Sequence, residues 1–571
     1  MKRLGLLVIA LLLIGSILPV AAQSTPDLEA LAVYYPQNTP LYVSFRTDDA
    51  FIDGLDAIRA HFDGALPGPA MADTTIREAL NEFAPLASNG ETFDSAVRPW
   101  LGDSAALGAL SLDSLMGEND GPMLIAISIT DRAQAQAFFE GLAPEGSLNV
   151  ETTETYTLIT PVQSIDPAAI YIDDQAMLLT NKPEALPVGG MPTPSLADNT
   201  QFQSSLAALP EPSYSVLGYV DYNALIQATF SQMADLRANS SASMGGSMNQ
   251  SMELLQPLLE SFRGMGLGLT LLNDRSLTAD FSLGWDSEAM SSLMADMTEF
   301  QPFDPAFAEH LPADTQLVMQ GTNLAASVEQ SLSNLETFAT MEAQNNGTQG
   351  SAMNPLAGLD FAIRGITGLD LQDGVLSWMT GQYAIGASLD FQTVLSSMSS
   401  DSLPPRALQF AFVVENTTGE GAQALVSGLS DGLNQLAAMS RDGNVTITQE
   451  TAGGAPAILV SIASRGAREP FEILIGGNES VFVVGTPDMA RAALSPDGGL
   501  NSDANYQEAT SVAVANSPVF LYSSAHFLNT LVEQAALEVM AVSPVFNSAS
   551  MSANYGESAF ATRMVLTLSG E

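Results

Sequence analysis

Trp100-Leu-Gly-Asp-Ser-Ala-Ala-Leu-Gly108 and Trp378-Met-Thr-Gly-Gln-Tyr-Ala-Ile-Gly386 are the same kind of segment met twice in one chain. Each opens on a tryptophan and closes, eight residues later, on a glycine that ends a run of small and apolar residues. Self-similarity at long spacing is the signature of a repeated unit. The match extends outward. Pro36 and Pro312 each precede a short strand-like run, at 41–45 and 316–320, followed by a helical stretch ending near Phe62 and near Leu335. Pro122 and Pro405 precede apolar strands at 123–129 and 408–414, followed by helices at 131–142 and 419–439. Polar–apolar alternation then fills 148–162 and 445–462, and strand-like runs at 169–180 and 472–485 lead to Lys182-Pro183-Glu184 and Thr486-Pro487-Asp488. Val216-Leu-Gly-Tyr219 matches Val519-Phe-Leu-Tyr522. The offset is 276 residues at Pro36, 278 at Trp100 and 304 at Pro183, so it changes mainly around one longer helix in the second copy. That is the behaviour of a duplication with one main insertion.

The expectation is therefore α+β: two tandem homologous domains, at 23–305 and 306–571, each a mainly antiparallel sheet covered by helices on one face. Alternating runs such as Leu148, Val150 and Thr152 suggest that the other face is wet. Asn273-Asp274-Arg275-Ser276 separates two alternating runs as a hairpin turn would. Residues 239–251, 341–355 and 543–558, rich in Ser, Asn, Gly or Met, are expected to be loose.

The Tyr35-Pro36-Gln-Asn-Thr39-Pro40-Leu41-Tyr42-Val43 segment, its counterpart Leu311-Pro312-Ala313-Asp314-Thr315 and the Trp-Leu-Gly-Asp segment at 100–103 resemble an exported bacterial family known only as a domain of unknown function. The resemblance covers most of the chain. It implies no activity, and it transfers no catalytic residue.

The first 22 residues read as a signal peptide. Lys2 and Arg3 precede an apolar run at 4–17, and Pro19-Val20-Ala21-Ala22 places small residues before a cut that leaves Gln23 first. The destination is the cell envelope or the exterior, with no stable membrane span after cleavage. The chain has no cysteine, which removes disulfides, lipid attachment, thiolate metal sites and thiol catalysis together. The net charge of −46 becomes −48 once Lys2 and Arg3 are cut away, leaving 16 basic residues against 64 acidic ones. Nucleic acid is excluded as a partner, because binding it needs a large basic face. Only 14% of residues are charged and 46% are hydrophobic, so the chain has an ample core.

Motifs with chemical content are few. Gly428-Leu-Ser-Asp-Gly432 fits a nucleophile-elbow pattern, but Leu425, Leu429, Leu433 and Leu436 have helical spacing, which places Ser430 within a helix. His61, His310 and His526 are the only histidines, and none has a neighbour at metal-ligand spacing. His526, just after the strand ending at Tyr522, is positioned as a candidate general base, but a lone surface or capping histidine is the favoured reading. Asp370-Leu-Gln-Asp373-Gly374 lacks the donors of a calcium loop and suits a turn before Trp378. Met244, Met248 and Met252, with Met290, Met294 and Met297, suit loose helix packing better than copper. Asn239-Ser-Ser and Asn416-Thr-Thr match the glycosylation sequon, with little force in such a chain. Matched positions in the two copies are apolar, Gly, Pro or Trp rather than catalytic. The functional expectation is an exported, non-catalytic binding or scaffolding protein with an envelope protein or extracellular ligand as partner. No catalytic, cofactor-binding or metal residue is assigned. A carboxylate-based hydrolase and a metal-handling protein using Met or acidic residues are the alternatives.

Overall fold

The structure is a computed structural model that describes residues 27–62, 75–82, 90–114, 121–144, 146–162, 168–239, 259–288, 300–345, 355–397, 406–439, 445–463, 469–535, 545–556 and 558–569. The signal segment, the six methionines above, residues 240–251 and residues 346–354 lie outside these residues, whereas the third stretch expected to be loose, 543–558, is mostly the strand Phe546–Tyr555, its side chains alternating between more and less buried positions despite the Ser and Asn content. The chain divides into two compact units: Met1–Ser292 with Met540–Val545 and Gly556–Glu571, and Leu293–Val539 with Phe546–Tyr555.

The first unit holds β1 (Leu41–Arg46), β2 (Leu101–Ala109), β3 (Met123–Ile129), β4 (Leu148–Thr152), β5 (Thr157–Pro161), β6 (Ala169–Ile172), β7 (Ala176–Thr180), β8 (Val216–Val220), β9 (Phe262–Leu271) and β10 (Ser276–Trp285). They pair in the order β4-β5-β6-β7-β3-β2-β1-β8-β9-β10, and every ladder is antiparallel. The second unit holds β11 (Leu317–Thr322), β12 (Gln382–Leu389), β13 (Leu408–Glu415), β14 (Val445–Ala452), β15 (Ala455–Ile462), β16 (Phe471–Gly477), β17 (Val481–Gly485), β18 (Val519–Ser524) and β19 (Phe546–Tyr555). Their order is β14-β15-β16-β17-β13-β12-β11-β18-β19, again antiparallel throughout. The nine strands of the second order follow the same sequence as the first nine strands of the first. The chain's last strand, β20 (Ala559–Leu568), pairs with β10 and belongs to the first unit, which therefore draws on both ends of the chain.

Register agrees in detail. Tyr42 faces Gly108 across β1–β2, and Val318 faces Gly386 across β11–β12. A side chain at Gly108 would strike the Tyr35 ring, and one at Gly386 would strike Leu311, so each glycine admits a large residue lying over its strand. Thr39 and Thr315 each donate a side-chain hydrogen bond of 2.7 Å, to the Pro36 and Pro312 carbonyls. Trp100 and Trp378 are buried just before β2 and β12, and each indole N–H donates to the carbonyl four residues back, Ala96 at 2.8 Å and Gly374 at 3.2 Å. Satisfying that donor is what lets the whole indole be buried.

The alternating runs of the sequence fold as hairpins rather than single long strands. Gly453 and Gly454 both take positive φ, the requirement of a tight two-residue turn between β14 and β15. Between β4 and β5 the Thr153 hydroxyl accepts the Tyr156 N–H at 3.0 Å and closes the turn. The helix after β11, Leu324–Asn345, runs past its expected end near Leu335. In the second unit the expectation of one covered sheet face needs correction. Val481 and Val483 sit in a core with Phe307, Tyr506, Phe520 and Tyr522, while Phe482 between them joins another core with Trp378, Leu425 and Val426. Side chains alternate across a strand, so both faces are buried there. In the first unit Tyr35, Tyr42, Phe202 and Tyr219 form an edge-to-face aromatic chain with centroid spacings of 5.1, 5.6 and 5.3 Å.

Candidate functional site

A polar pocket of about 420 Å3 lies in the second unit, within the size range of ligand sites. One wall comes from the end of β12. There the chain turns at Asp390 into the helix Phe391–Ser397, and the Asp390 carboxylate accepts the Thr393 hydroxyl at 2.6 Å and the Thr393 N–H at 3.0 Å. Those two bonds, the hydroxyl first, hold the Asp390 carboxyl below its ordinary value. The opposite wall is the helix Ala525–Ala535, which follows β18 directly and presents His526, Thr530 and Glu533 on one face at helical spacing. Arg406 adds a guanidinium, its Nε 3.5 Å from the Glu469 carboxylate. Gln316 lines the pocket while being only 9% exposed. Its side-chain oxygen accepts the Leu389 N–H at 3.0 Å, which fixes the amide orientation. Among the described residues no hydrogen bond engages its two amide N–H groups.

A second cavity, of about 350 Å3 in the first unit, is acidic, with Asp27, Glu29 and Glu211 beside Ser213 and Tyr214. Desolvation first, and the Asp27 carboxylate second, push the Glu29 carboxyl up. Behind Glu211 lies Arg563, whose guanidinium joins the Glu211 carboxylate at 2.7 Å and the fully buried Asp280 at 2.7 and 2.8 Å.

Of the described residues weighed for chemistry in the sequence, His526 lines the polar pocket of the second unit. His61 Nε2 meets the Asp274 carbonyl at 3.0 Å, and His310 is buried with Nδ1 2.9 Å from the Ala493 carbonyl. Among the described residues no group of three or more His, Asp or Glu side chains could hold a metal ion. Ser430 is buried in the helix Gly421–Met439 and accepts a hydrogen bond from the Gln449 amide. Asp370 caps the turn Leu371–Val375 before Trp378 and pairs with Arg364. Asn416 is buried, its amide donating to the Asn478 carbonyl at 2.9 Å. The side chain of Asn239 is outside the described part of its helix.

Sequence reasoning looked for polar residues shared by both copies and so missed Gln316, Asp390 and Arg406. The useful signal was the reverse. At the positions equivalent to Gln316 and His526 the first copy has Pro40 and Asn223.

Fold and pockets together define a cysteine-free α+β protein with concave polar sites and, among its described helices, none long and apolar enough to cross a membrane. The chain belongs to the family described as "Protein of unknown function (DUF3352)", which matches residues 3–554. No curated protein matches it. Among solved structures it is similar to crystal forms III and I of TP0453, at 10% and 11% identity, over 48% and 49% of this chain and 87% and 88% of that one. The TM-scores are 0.21 and 0.20, a likeness too slight to carry an argument.

Proposed function

We propose that this is an exported, non-catalytic binding protein of the cell envelope or exterior, built from two units of common ancestry. Its ligand is a small, acceptor-rich molecule held in the pocket beside His526. The observation that carries this reading is Gln316. The Gln316 oxygen is fixed by the Leu389 N–H, which leaves the amide N–H groups without a protein partner among the described residues, in a residue lining a cavity that also offers Arg406 and His526. A few fixed polar groups in a cavity are the usual recognition elements for a ligand, here an acceptor such as a carboxylate or hydroxyl oxygen.

The test is calorimetry of the mature protein against panels of small carboxylates and sugars, followed by Gln316→Glu. That substitution keeps an oxygen for Leu389 N–H and replaces the donors with negative charge. A bound carboxylate should weaken at least about tenfold, the scale of a lost charge-assisted bond. Unchanged affinity in both Gln316→Glu and His526→Ala would refute the site. Export is checked by N-terminal sequencing, which should begin at Gln23. The hydrolase alternative has one supporting observation, the raised Glu29 carboxyl beside Asp27 in the acidic cavity. Glycoside turnover abolished by Glu29→Gln would favour it.

A further inference from the structure

We propose that a separate pocket in the second unit, lined by Phe300, Tyr383 and Tyr555, binds an alkylated ammonium group. This pocket has a volume of about 220 Å3, small for a complete ligand and suited to a head group. Three aromatic rings line it, together with Thr322, Ser327 and Gln330, and none of its lining residues is Lys, Arg or His. The Thr322 hydroxyl donates to the Gln301 carbonyl at 2.8 Å and the Ser327 hydroxyl to the Asn323 carbonyl at 3.3 Å, so both oxygens keep lone pairs. Burial pushes the Tyr383 and Tyr555 phenols up, which keeps both rings neutral.

The two units differ in register at this pocket. Across β1–β2 Phe45 faces Ala105; across β11–β12 Gly321 faces Tyr383. The aromatic ring has moved to the neighbouring strand, and it lies over Gly321, where any side chain would strike it. One residue on, the ladders pair Arg46 with Ser104 and Thr322 with Gln382. In the first unit that place holds a buried guanidinium, 6% exposed, paired with Asp48 at 2.6 Å. In the second unit the cation has become Thr322, its carboxylate partner has become Leu324, and a cavity lines the strand at this point.

The missing carboxylate decides the ligand class. A primary ammonium or a guanidinium would find only neutral oxygens, such as those of Thr322 and Ser327, and no carboxylate to balance its concentrated, strongly hydrated charge, which makes its desolvation costly. An alkylated ammonium spreads its charge over methyl groups, needs no hydrogen bond and is attracted by aromatic faces. The net charge of −46 favours cations at the surface generally.

The experiment is calorimetry of the mature chain with choline and with its neutral carbon isostere, 3,3-dimethylbutan-1-ol. Choline should bind about tenfold or more tightly than the isostere, the difference expected from desolvated cation–π contacts. Thr322→Arg, which supplies the guanidinium of the first unit, should abolish binding. Phe300→Leu and Tyr555→Leu should each weaken it several-fold, and these two carry the test if Thr322→Arg does not fold. Equal binding of choline and isostere, absence of choline binding at millimolar concentration, or undiminished affinity in the variants would overturn the proposal. None of these results bears on the Gln316 pocket, whose ligand is of opposite character.

Discussion

Arg563 in β20 sits directly opposite Asp280 in β10, and removing it should be among the most damaging single changes in the first unit. Asp280 is fully buried and accepts Arg563 Nε at 2.8 Å, Nη2 at 2.7 Å and the Tyr214 hydroxyl at 2.9 Å. Arg563→Met keeps much of the apolar stem and leaves the Asp280 carboxylate with the Tyr214 hydroxyl alone. Breaking a buried pair in this way costs about 3–5 kcal/mol, because one charge stays behind without compensation. Replacing both partners, as in Asp280→Leu with Arg563→Met, removes the buried stranded charge and leaves only the Glu211 carboxylate, which is 35% exposed and so stays hydrated. Such replacements are often neutral or stabilising by about 1–4 kcal/mol. Here the orphaned Tyr214 hydroxyl offsets about 1 kcal/mol of that gain. The double variant should therefore lie near the parent, with a coupling energy of about 3 kcal/mol or more between the two sites. Urea unfolding followed by tryptophan fluorescence measures this. The chain has three tryptophans, and in a Trp378→Phe background the two that remain, Trp100 and Trp285, both report on the first unit. A loss below about 1 kcal/mol for Arg563→Met, or a double variant as unstable as the sum of the singles, would refute the reasoning.

Trp100→Ala and Trp378→Ala should each cost about 3–5 kcal/mol, since both indoles are buried and hydrogen-bonded; an unchanged urea midpoint would contradict a structural role. Gly108→Ala should cost more than Gly386→Ala, because the first meets the rigid Tyr35 ring and the second a rotatable Leu311 terminus at 2.8 Å; thermal melts that reverse this order would count against the packing described. Acid should destabilise through capping carboxylates. Asp131 and Asp198 are held low chiefly by the Gln134 and Ser195 backbone N–H groups, and Asp390 chiefly by the Thr393 hydroxyl. A depressed folded value means that the stabilisation is complete above the unfolded value of about 3.9 and is lost as pH falls through the folded value. Urea midpoints measured from pH 5 to pH 2 should fall less steeply in the triple Asp→Asn variant, since asparagine caps without titrating. An identical slope would exclude these caps as its source.

The sequence by itself determined the class of the fold and much of its order. Pro36 and Pro312, the two Trp segments and the two X-Pro-acid turns mark elements whose positions in the two ladders agree. These features were legible because they act locally: a proline stops a strand, a glycine admits a ring, an Asp caps a helix three residues ahead. The helix of Ser430 was legible for the same reason, from leucines at helical spacing. What tertiary structure alone decided is pairing across long separations. Nothing near Ala559 says that β20 pairs with β10, where Arg563 meets Asp280, 283 residues away in the sequence. The same holds for both pockets of the second unit. Gln316 reads as an ordinary strand polar residue until Leu389 fixes its oxygen, and Thr322 reads as an ordinary threonine until it is set beside Arg46 in register. Side-chain periodicity records which face of an element is buried, but the partner that covers that face, or leaves it open to a ligand, is fixed only when distant strands come together.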